Sequence, residues 1–317
     1  MTEEIHLPQI ETTEIVLAMP RGFCAGVERA IETVRLCLKK NGPPVYILHE
    51  IVHNRHVLKE LEELGAVFVE HLTDIPKGGI CIFSAHGVSR KVEQQSALLG
   101  LKTLDATCPL VSSVHRMVEK YHADEYDVLI IGHHNHPEVE GTAGRVADRV
   151  HIIASEKEAM DCQVADDSRV AFVTQTTLSV DDISGILSVL KKRFPLIKGP
   201  ASSICFATQN RQNAVKKLAE QADLILVVGS KNSSNSNRLQ EVAIRQGTTC
   251  FLIDDKEDLQ PLWLDGVRVV GITAGASAPE RLVEGVIKWL RERGDVTLRE
   301  LAGVKEKIHF KAAESND

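Results

Sequence analysis

The 317-residue chain has no C-x-x-C pair among its seven cysteines, no uninterrupted apolar run long enough to cross a bilayer, and no excess of positive charge. The first absence removes zinc-ribbon and ferredoxin spacings. The second leaves no candidate membrane span, and the first fifteen residues, acidic and polar, lack the apolar core of a secretory signal, so the protein is expected in the cytoplasm. Thiols stay reduced there, so an odd number of cysteines reads as burial, metal binding or catalysis rather than a disulfide framework. A formal net charge of -7 offers no general surface for nucleic acid or anionic membrane, which clustered Lys and Arg would require. It leaves room for a local anion site, because N–H groups at helix starts hold phosphate without net positive charge. The Walker lysine loop and Gly-x-Gly-x-x-Gly are also missing, so ATP and dinucleotides are not indicated.

With 43% hydrophobic and 26% charged residues, the chain has an ordinary globular composition and the length for two or three modest domains. Its organisation is a threefold repetition. Cys24, Cys108 and Cys205 each follow a short apolar or β-prone run and precede a helical pattern, at 27–39, 111–121 and 210–221. After each cysteine comes a β-branched run with a polar tip, at His53, His136 and Asn235, and then a second, at His86, Thr176 and Ser277. The spacings from cysteine to first tip are 29, 28 and 30 positions, and to the second 62, 68 and 72. Strands alternating with helices in this way imply parallel sheets covered by helices. The expectation is an α/β protein of three small domains with parallel sheets in a pseudo-threefold arrangement around a central iron–sulfur site. The domains fall at 26–108, 109–203 and 204–289 with 15–25, between an N-terminal extension (1–14) and a C-terminal tail (290–317). The strand leading to Cys24 can also pair with the last third, and a strand-like run is expected at 305–310. Ligands of open parallel sheets bind beyond the carboxyl ends of the strands, where all nine of these positions are expected.

One free cysteine is most simply a small buried hydrophobe. Three at equivalent places in a repeat read instead as thiolates that hold an iron–sulfur cluster by three corners and leave the fourth metal open to substrate. Cys37, Cys81, Cys162 and Cys250 lie away from the tips and receive no role. His133, His134, His136 and Glu138 form a tract with the donor types for zinc or iron, although such tracts are often only polar surface. Glu138 also reads as an acid whose pKa seclusion would raise, with Glu140 beside it as a solvated or structural partner. Ser233, Ser234 and Asn235, together with Ser277, supply hydroxyl and amide groups at strand ends, in the form of a phosphate cradle.

These segments together resemble the 4-hydroxy-3-methylbut-2-enyl diphosphate reductase family of the non-mevalonate isoprenoid pathway. The resemblance runs from about residue 15 to 289, through Pro-Arg-Gly-Phe-Cys-Ala-Gly-Val, His-Glu-Ile-Val-His-Asn, Ser-Ala-His-Gly-Val, Asp-Ala-Thr-Cys-Pro-Leu-Val, Asn-His-Pro-Glu-Val-Glu-Gly-Thr, Thr-Gln-Thr-Thr-Leu-Ser, Gly-Ser-Lys-Asn-Ser-Ser-Asn-Ser and Thr-Ala-Gly-Ala-Ser. It implies a [4Fe–4S] cluster on Cys24, Cys108 and Cys205. It implies a diphosphate held by His53, His86, Ser233, Ser234, Asn235 and Ser277, with His136 lining the pocket, Glu138 as proton source, and Thr176 relaying or orienting near the substrate hydroxyl. The implied reaction removes that hydroxyl with two electrons, from reduced ferredoxin or flavodoxin, and yields isopentenyl and dimethylallyl diphosphates. The departures are Asn135, where the family often has glycine, and about a dozen extra N-terminal residues. A cluster-dependent dehydratase would share the open iron without needing external electrons. A cluster-bearing redox sensor is the non-enzymatic alternative, with little support from the acidic charge balance.

Overall fold

The computed structural model describes residues 11–200 and 203–314, so most of the expected N-terminal extension lies outside the described residues. Strand β1 (Glu14–Leu17) leads to helix α1 (Ala25–Asn41), followed by β2 (Val45–Leu48), α2 (Arg55–Glu63), β3 (Ala66–Val69), β4 (Ile80–Phe83), α3 (Arg90–Leu98) and β5 (Lys102–Asp105). The chain continues through α4 (Pro109–Ala123), β6 (Asp127–Ile131), α5 (Pro137–Ala143), β7 (Val150–Ile153), α6 (Glu156–Asp161), β8 (Val170–Thr174) and α7 (Val180–Arg193). Last come α8 (Phe206–Ala219), β9 (Leu224–Val228), α9 (Ser234–Arg245), β10 (Thr249–Ile253), β11 (Val269–Ala274), α10 (Glu280–Arg291) and β12 (Thr297–Glu300).

The strands form three sheets, ordered β10-β9-β11-β1-β12, β3-β2-β4-β5 and β7-β6-β8, and every pairing is parallel. This is the expected α/β class with three small parallel sheets. Parallel neighbours need crossovers, and the helices that make them bury apolar faces on the sheets. Local chemistry starts several of these helices. Asn54, Ser89, Ser155, Ser179 and Ser233 accept from backbone N–H groups one turn in, and Pro109 and Pro137 occupy first-turn positions.

The described residues divide into two compact units, one of residues 11–24 with 206–307 and the other running from 25 to 205 with 308–314. In the first, the five-stranded sheet has two apolar faces. Ile15, Leu226, Ile272 and Val283 belong to one, and Val16, Val215, Val227 and Leu239 to the other. In the second unit, β3-β2-β4-β5 packs Leu48, Cys81 and Phe83 against Val88, while β7-β6-β8 buries Leu129, Phe172 and Leu190 on one face and Val118, Ile130 and Val173 on the other. Among the described residues no helix is long and apolar enough to cross a membrane.

Two expectations need correction. The tail strand is β12, paired with β1 from Glu14↔Thr297 to Leu17↔Glu300, and 305–310 contains no strand. Its last ladder bond runs from Leu301 N–H to Leu17 O (2.9 Å), and since β1 ends at Leu17 the residues beyond have no strand to pair with. Nor does a strand lead directly into Cys205. The last such pairing is an isolated bridge from Lys198 to Ala171, and the intervening Pro200 has no N–H to extend a ladder. Eight of the nine expected tip positions therefore follow strands, and Cys205 follows a loop.

Candidate functional site

Each of the three cysteines directly precedes a helix: Cys24 before α1, Cys108 as the N-cap of α4, and Cys205 before α8. All three are half-buried, and a helix start presents orphan backbone N–H groups. A hydrogen bond repeats the triplication at atomic scale. The amides of Cys24, Cys108 and Cys205 donate to the carbonyls of Ala276 (3.3 Å), Ala85 (3.0 Å) and Thr176 (3.1 Å). These carbonyls belong to the loops of Ser277, His86 and Thr176, so each cysteine is tied to the second tip of the preceding third in a circular order. Cys108 and Cys24 are tied this way because β5 lies beside β4 and β1 beside β11.

The other cysteines are structural. Cys81 and Cys250 are buried in strands with burial pushing their thiols up to about 12, and Cys37 is buried on α1 with its thiol also raised. Cys162 Sγ lies 3.2 Å from Arg193 Nη1. Three soft sulfur donors in half-buried, N–H-rich surroundings are of the type that suits iron–sulfur ligation. Among the described residues no group of three or more His, Cys, Asp or Glu could hold a single metal ion, so the 133–138 tract is not a mononuclear site. His134 instead pairs with Glu158 (2.9 Å), and His133 and His134 are exposed. Asn135 has φ +61°, the left-handed conformation that favours glycine and that asparagine tolerates.

In the second unit the structure brings three tip histidines together. The His53 and His86 rings stack with centroids 4.3 Å apart, and His136 stands edge-on to them at 5.9 and 6.0 Å. His136 caps α5, its Nδ1 accepting from the Glu138 amide at 3.2 Å. An accepting Nδ1 places the ring proton on Nε2 and keeps the imidazole neutral. Burial, and then the neighbouring His53 and His133, lower the His136 pKa to about 4. Enclosure and three neighbouring imidazoles likewise hold His86 well below its ordinary value. His53 Nδ1 meets Glu50 Oε2 at 2.6 Å, and His86 Nδ1 lies 3.3 Å from Ser84 Oγ.

Glu138, on the first turn of α5, is 3% exposed. Its Oε1 accepts from the Thr176 amide at 2.6 Å and its Oε2 from the Thr176 hydroxyl at 2.9 Å. Burial raises its pKa to about 7, more than offsetting the two Thr176 bonds and the proximity of His53, which favour the ionised form. A carboxyl poised near neutrality and locked in one orientation can deliver a proton where bulk water is excluded.

The first unit holds a different set. Ser233 caps α9 and accepts from the Ser236 amide (3.3 Å). Asn235 Oδ1 accepts from the Ala276 amide (2.9 Å), joining the 230–235 loop to the loop that carries Ser277. Ser233, Asn235 and Ser277 are buried and Ser234 is half-buried. Among the described residues the enclosed Asn235 Nδ2 has no hydrogen-bond partner, whereas buried donors are ordinarily satisfied. Hydroxyls, an amide and a helix start are neutral dipoles suited to an anion.

Several supporting residues escaped sequence reasoning. His115 on α4 is 6% exposed, and its ring packs under the His86 turn. A Cβ at Gly87 (φ +78°) would lie 2.6 Å from His115 Cε1, so this turn requires glycine. Arg145, just after α5, donates to Val88 O (3.2 Å) and Glu93 (2.7 Å), tying α5 to the segment after His86. Gln175 accepts from the His133 amide (3.0 Å). A lone histidine or arginine within a helical pattern carries no signal of such contacts. Glu50 was within reach, since it stands three residues before His53 in a motif already singled out.

Parallel sheets whose carboxyl-end loops carry cysteines, stacked imidazoles and a proton-active buried carboxyl define an α/β enzyme for an anionic substrate. The LytB protein family model matches residues 15–291, and the chain belongs to that family. It is 66% identical over 300 residues to the 4-hydroxy-3-methylbut-2-enyl diphosphate reductase of Desulfotalea psychrophila, covering 95% of this chain and 96% of the relative. To the reductase of the same name from Zymomonas mobilis it is 51% identical over 299 residues, covering 94% and 88%. The solved structure of the E-1-hydroxy-2-methyl-but-2-enyl-4-diphosphate reductase from Plasmodium falciparum superposes with a TM-score of 0.90 at 39% identity, over 93% of this chain and 94% of that one.

Proposed function

We propose that this chain is a 4-hydroxy-3-methylbut-2-enyl diphosphate reductase, which removes the allylic hydroxyl of its substrate to give isopentenyl and dimethylallyl diphosphates. Family membership and the named relatives support the reaction. The observation that carries the reading at residue level is the Glu138–Thr176 pair, a buried carboxyl held near pKa 7 in the unit that also carries the histidine cluster. In the balanced reaction two electrons and two protons enter, the C–O bond breaks, a C–H bond forms, and the hydroxyl leaves as water.

In this reading Cys24, Cys108 and Cys205 would hold a [4Fe–4S] cluster, which would supply electrons one at a time and Lewis-acid activation of the hydroxyl. Glu138, in its protonated form, gives its proton to the departing oxygen, and Thr176 fixes both carboxyl oxygens so that the proton is held in one place. His53, His86, Ser233, Ser234, Asn235 and Ser277 bind the diphosphate and His136 lines the pocket. Binding energy spent on that remote group holds the reacting carbon in place. Reduced ferredoxin or flavodoxin is the proposed source of electrons.

Anaerobically purified, cluster-loaded protein should convert the allylic diphosphate to both products only when a low-potential reductant is added, as followed by product chromatography. Turnover without reductant would identify a dehydratase instead. A fully loaded protein that consumes no substrate with reductant present would defeat the proposal.

A further inference from the structure

Arg211, on α8, is the largest of the fully buried side chains, 1% exposed. Its guanidinium spends its N–H groups on the loop that ends at Cys24. Nε and Nη2 donate to Gly22 O at 3.0 and 2.8 Å, and Nη2 also donates to Phe23 O at 2.9 Å. Nη1 donates to Ala207 O at 2.9 Å and to both carboxylate oxygens of Glu306 at 3.2 and 3.1 Å. The two peptide carbonyls just before Cys24 are thus held by one side chain. Glu306 supplies the countercharge, and Asn210 Nδ2 fixes its orientation by donating to Oε1 at 3.0 Å.

The segment that brings Glu306 here follows the same loop along its length. Leu301 N–H bonds Leu17 O, and Arg21 pairs with Glu300 as well as Glu280. Gly303 passes so close to Met19 that a Cβ would stand 1.9 Å from the Met19 carbonyl oxygen. We propose that Arg211, braced by Glu306, is a positioning residue for Cys24, and that 300–306 is a strap that fixes how this thiolate is presented to iron. The inference rests on reading Cys24 as a cluster ligand.

Physical chemistry separates this role from simple stabilisation of the fold. Val16, Ala18, Ala214, Val215 and Leu218 already join β1 to α8 through an apolar face, so the sheet does not depend on Arg211. What Arg211 adds is a fixed path for the irregular, half-buried stretch between the end of β1 and the start of α1. Lysine cannot replace it fully, because the planar fork reaches two adjacent carbonyls and a carboxylate at once. Removing Glu306 alone leaves a buried guanidinium without its countercharge.

The test uses full-length protein reconstituted anaerobically, with iron and sulfide per chain, the cluster's visible and EPR spectra, the rate of iron release to a ferrous chelator, and the thermal midpoint. Arg211→Met should release iron on the order of tenfold faster than the parent, the scale found when groups behind a metal ligand are removed. Glu306→Gln should move the same way by less, and Arg211→Lys should recover part of the loss. Val215→Ala on the same helix calibrates the effect of lost stability alone.

Wild-type release rates in both Arg211→Met and Glu306→Gln, or acceleration no greater than Val215→Ala shows at an equal fall in midpoint, would overturn the positioning role. If Arg211→Met does not fold, Glu306→Gln decides by the same criterion. Cys24→Ser discriminates the underlying reading. Loss of the cluster there keeps Cys24 as ligand whatever the Arg211 variants do, and full iron with an unchanged spectrum removes Cys24 from the ligand set and the proposal with it.

Discussion

The two units carry polar tips of opposite electrical character. In the unit of 25–205 the tips apart from Thr176 are ionisable: His53 and His86 stack with His136 edge-on to them, and burial tunes His86, His136 and the nearby Glu138. In the other, Ser233, Ser234, Asn235 and Ser277 are neutral at every working pH. Burial acts on both sets, with different results. It shifts an ionisable group until the group exchanges protons near neutrality or stays uncharged, whereas it leaves a hydroxyl or amide as a fixed, uncharged dipole. One set can therefore do proton chemistry and respond to pH, and the other can hold an anion indifferently to it.

The largest test lies beneath this contrast. Cys108→Ser should abolish both the cluster spectrum and turnover, and iron analysis with anaerobic absorbance would check it. A full spectrum in the variant would remove Cys108 from the ligand set. Next, Glu138→Gln should keep substrate binding and cluster while turnover falls about 10²–10⁴-fold, the usual worth of a positioned general acid. In the parent, turnover limited by protonated Glu138 should decline as pH rises through about 7, and that limb should vanish in the variant.

The same residue makes a stability prediction of definite sign. Its folded pKa of about 7 lies above the ordinary 4.5, so the native state binds more protons than the unfolded chain between these values and loses stability as pH rises through them. At pH 8 Glu138→Gln should therefore melt higher than the parent, with the gain shrinking toward pH 4. A lower melting point at pH 8 would mean that the Thr176 bonds outweigh the desolvation of the charge.

A smaller effect should divide the two sets directly. A diphosphate bound beside His86, as proposed, would raise its depressed pKa, so binding would take up protons and weaken as pH rises. His86→Gln should flatten that pH dependence of KM, whereas Ser233→Ala should raise KM about three- to tenfold, the worth of one hydrogen bond, without changing its slope. Equal slopes in the parent and His86→Gln would erase the distinction. Smallest of all, Asn135→Gly should leave turnover unchanged and alter stability by no more than about 1 kcal/mol, since φ +61° suits glycine sterically while its freer unfolded chain opposes the gain.

The alternation of β-branched runs with helical patterns was legible without coordinates, because parallel strands buried on both faces, such as Leu224–Val228, must be apolar throughout. The helices after Cys24 and Cys108 begin within two residues of where their periodicity places them. That after Cys205 begins four residues earlier than expected, because Phe206-Ala-Thr-Gln has no capping signal to mark its start. The strand expected at 305–310 failed because a strand depends on a partner, and β1 has none left to offer beyond Leu17. Glu138 was recognisable as a carboxyl in a polar loop, but its clasp by Thr176 joins positions 38 apart and follows from β8 lying beside β6.

By itself the sequence determined the α/β class, the triplicated cysteine-and-tip pattern and the chemical type of each tip, since residue identity and spacing are local properties of the chain. Tertiary structure alone decided that each cysteine amide is bonded to the preceding third's loop, that His115 braces the His86 turn, and that Arg211 and Glu306 brace the approach to Cys24. Those contacts depend on which strands become neighbours and how deeply a side chain is buried, and burial is what turns an ordinary glutamate into an acid with a pKa of about 7.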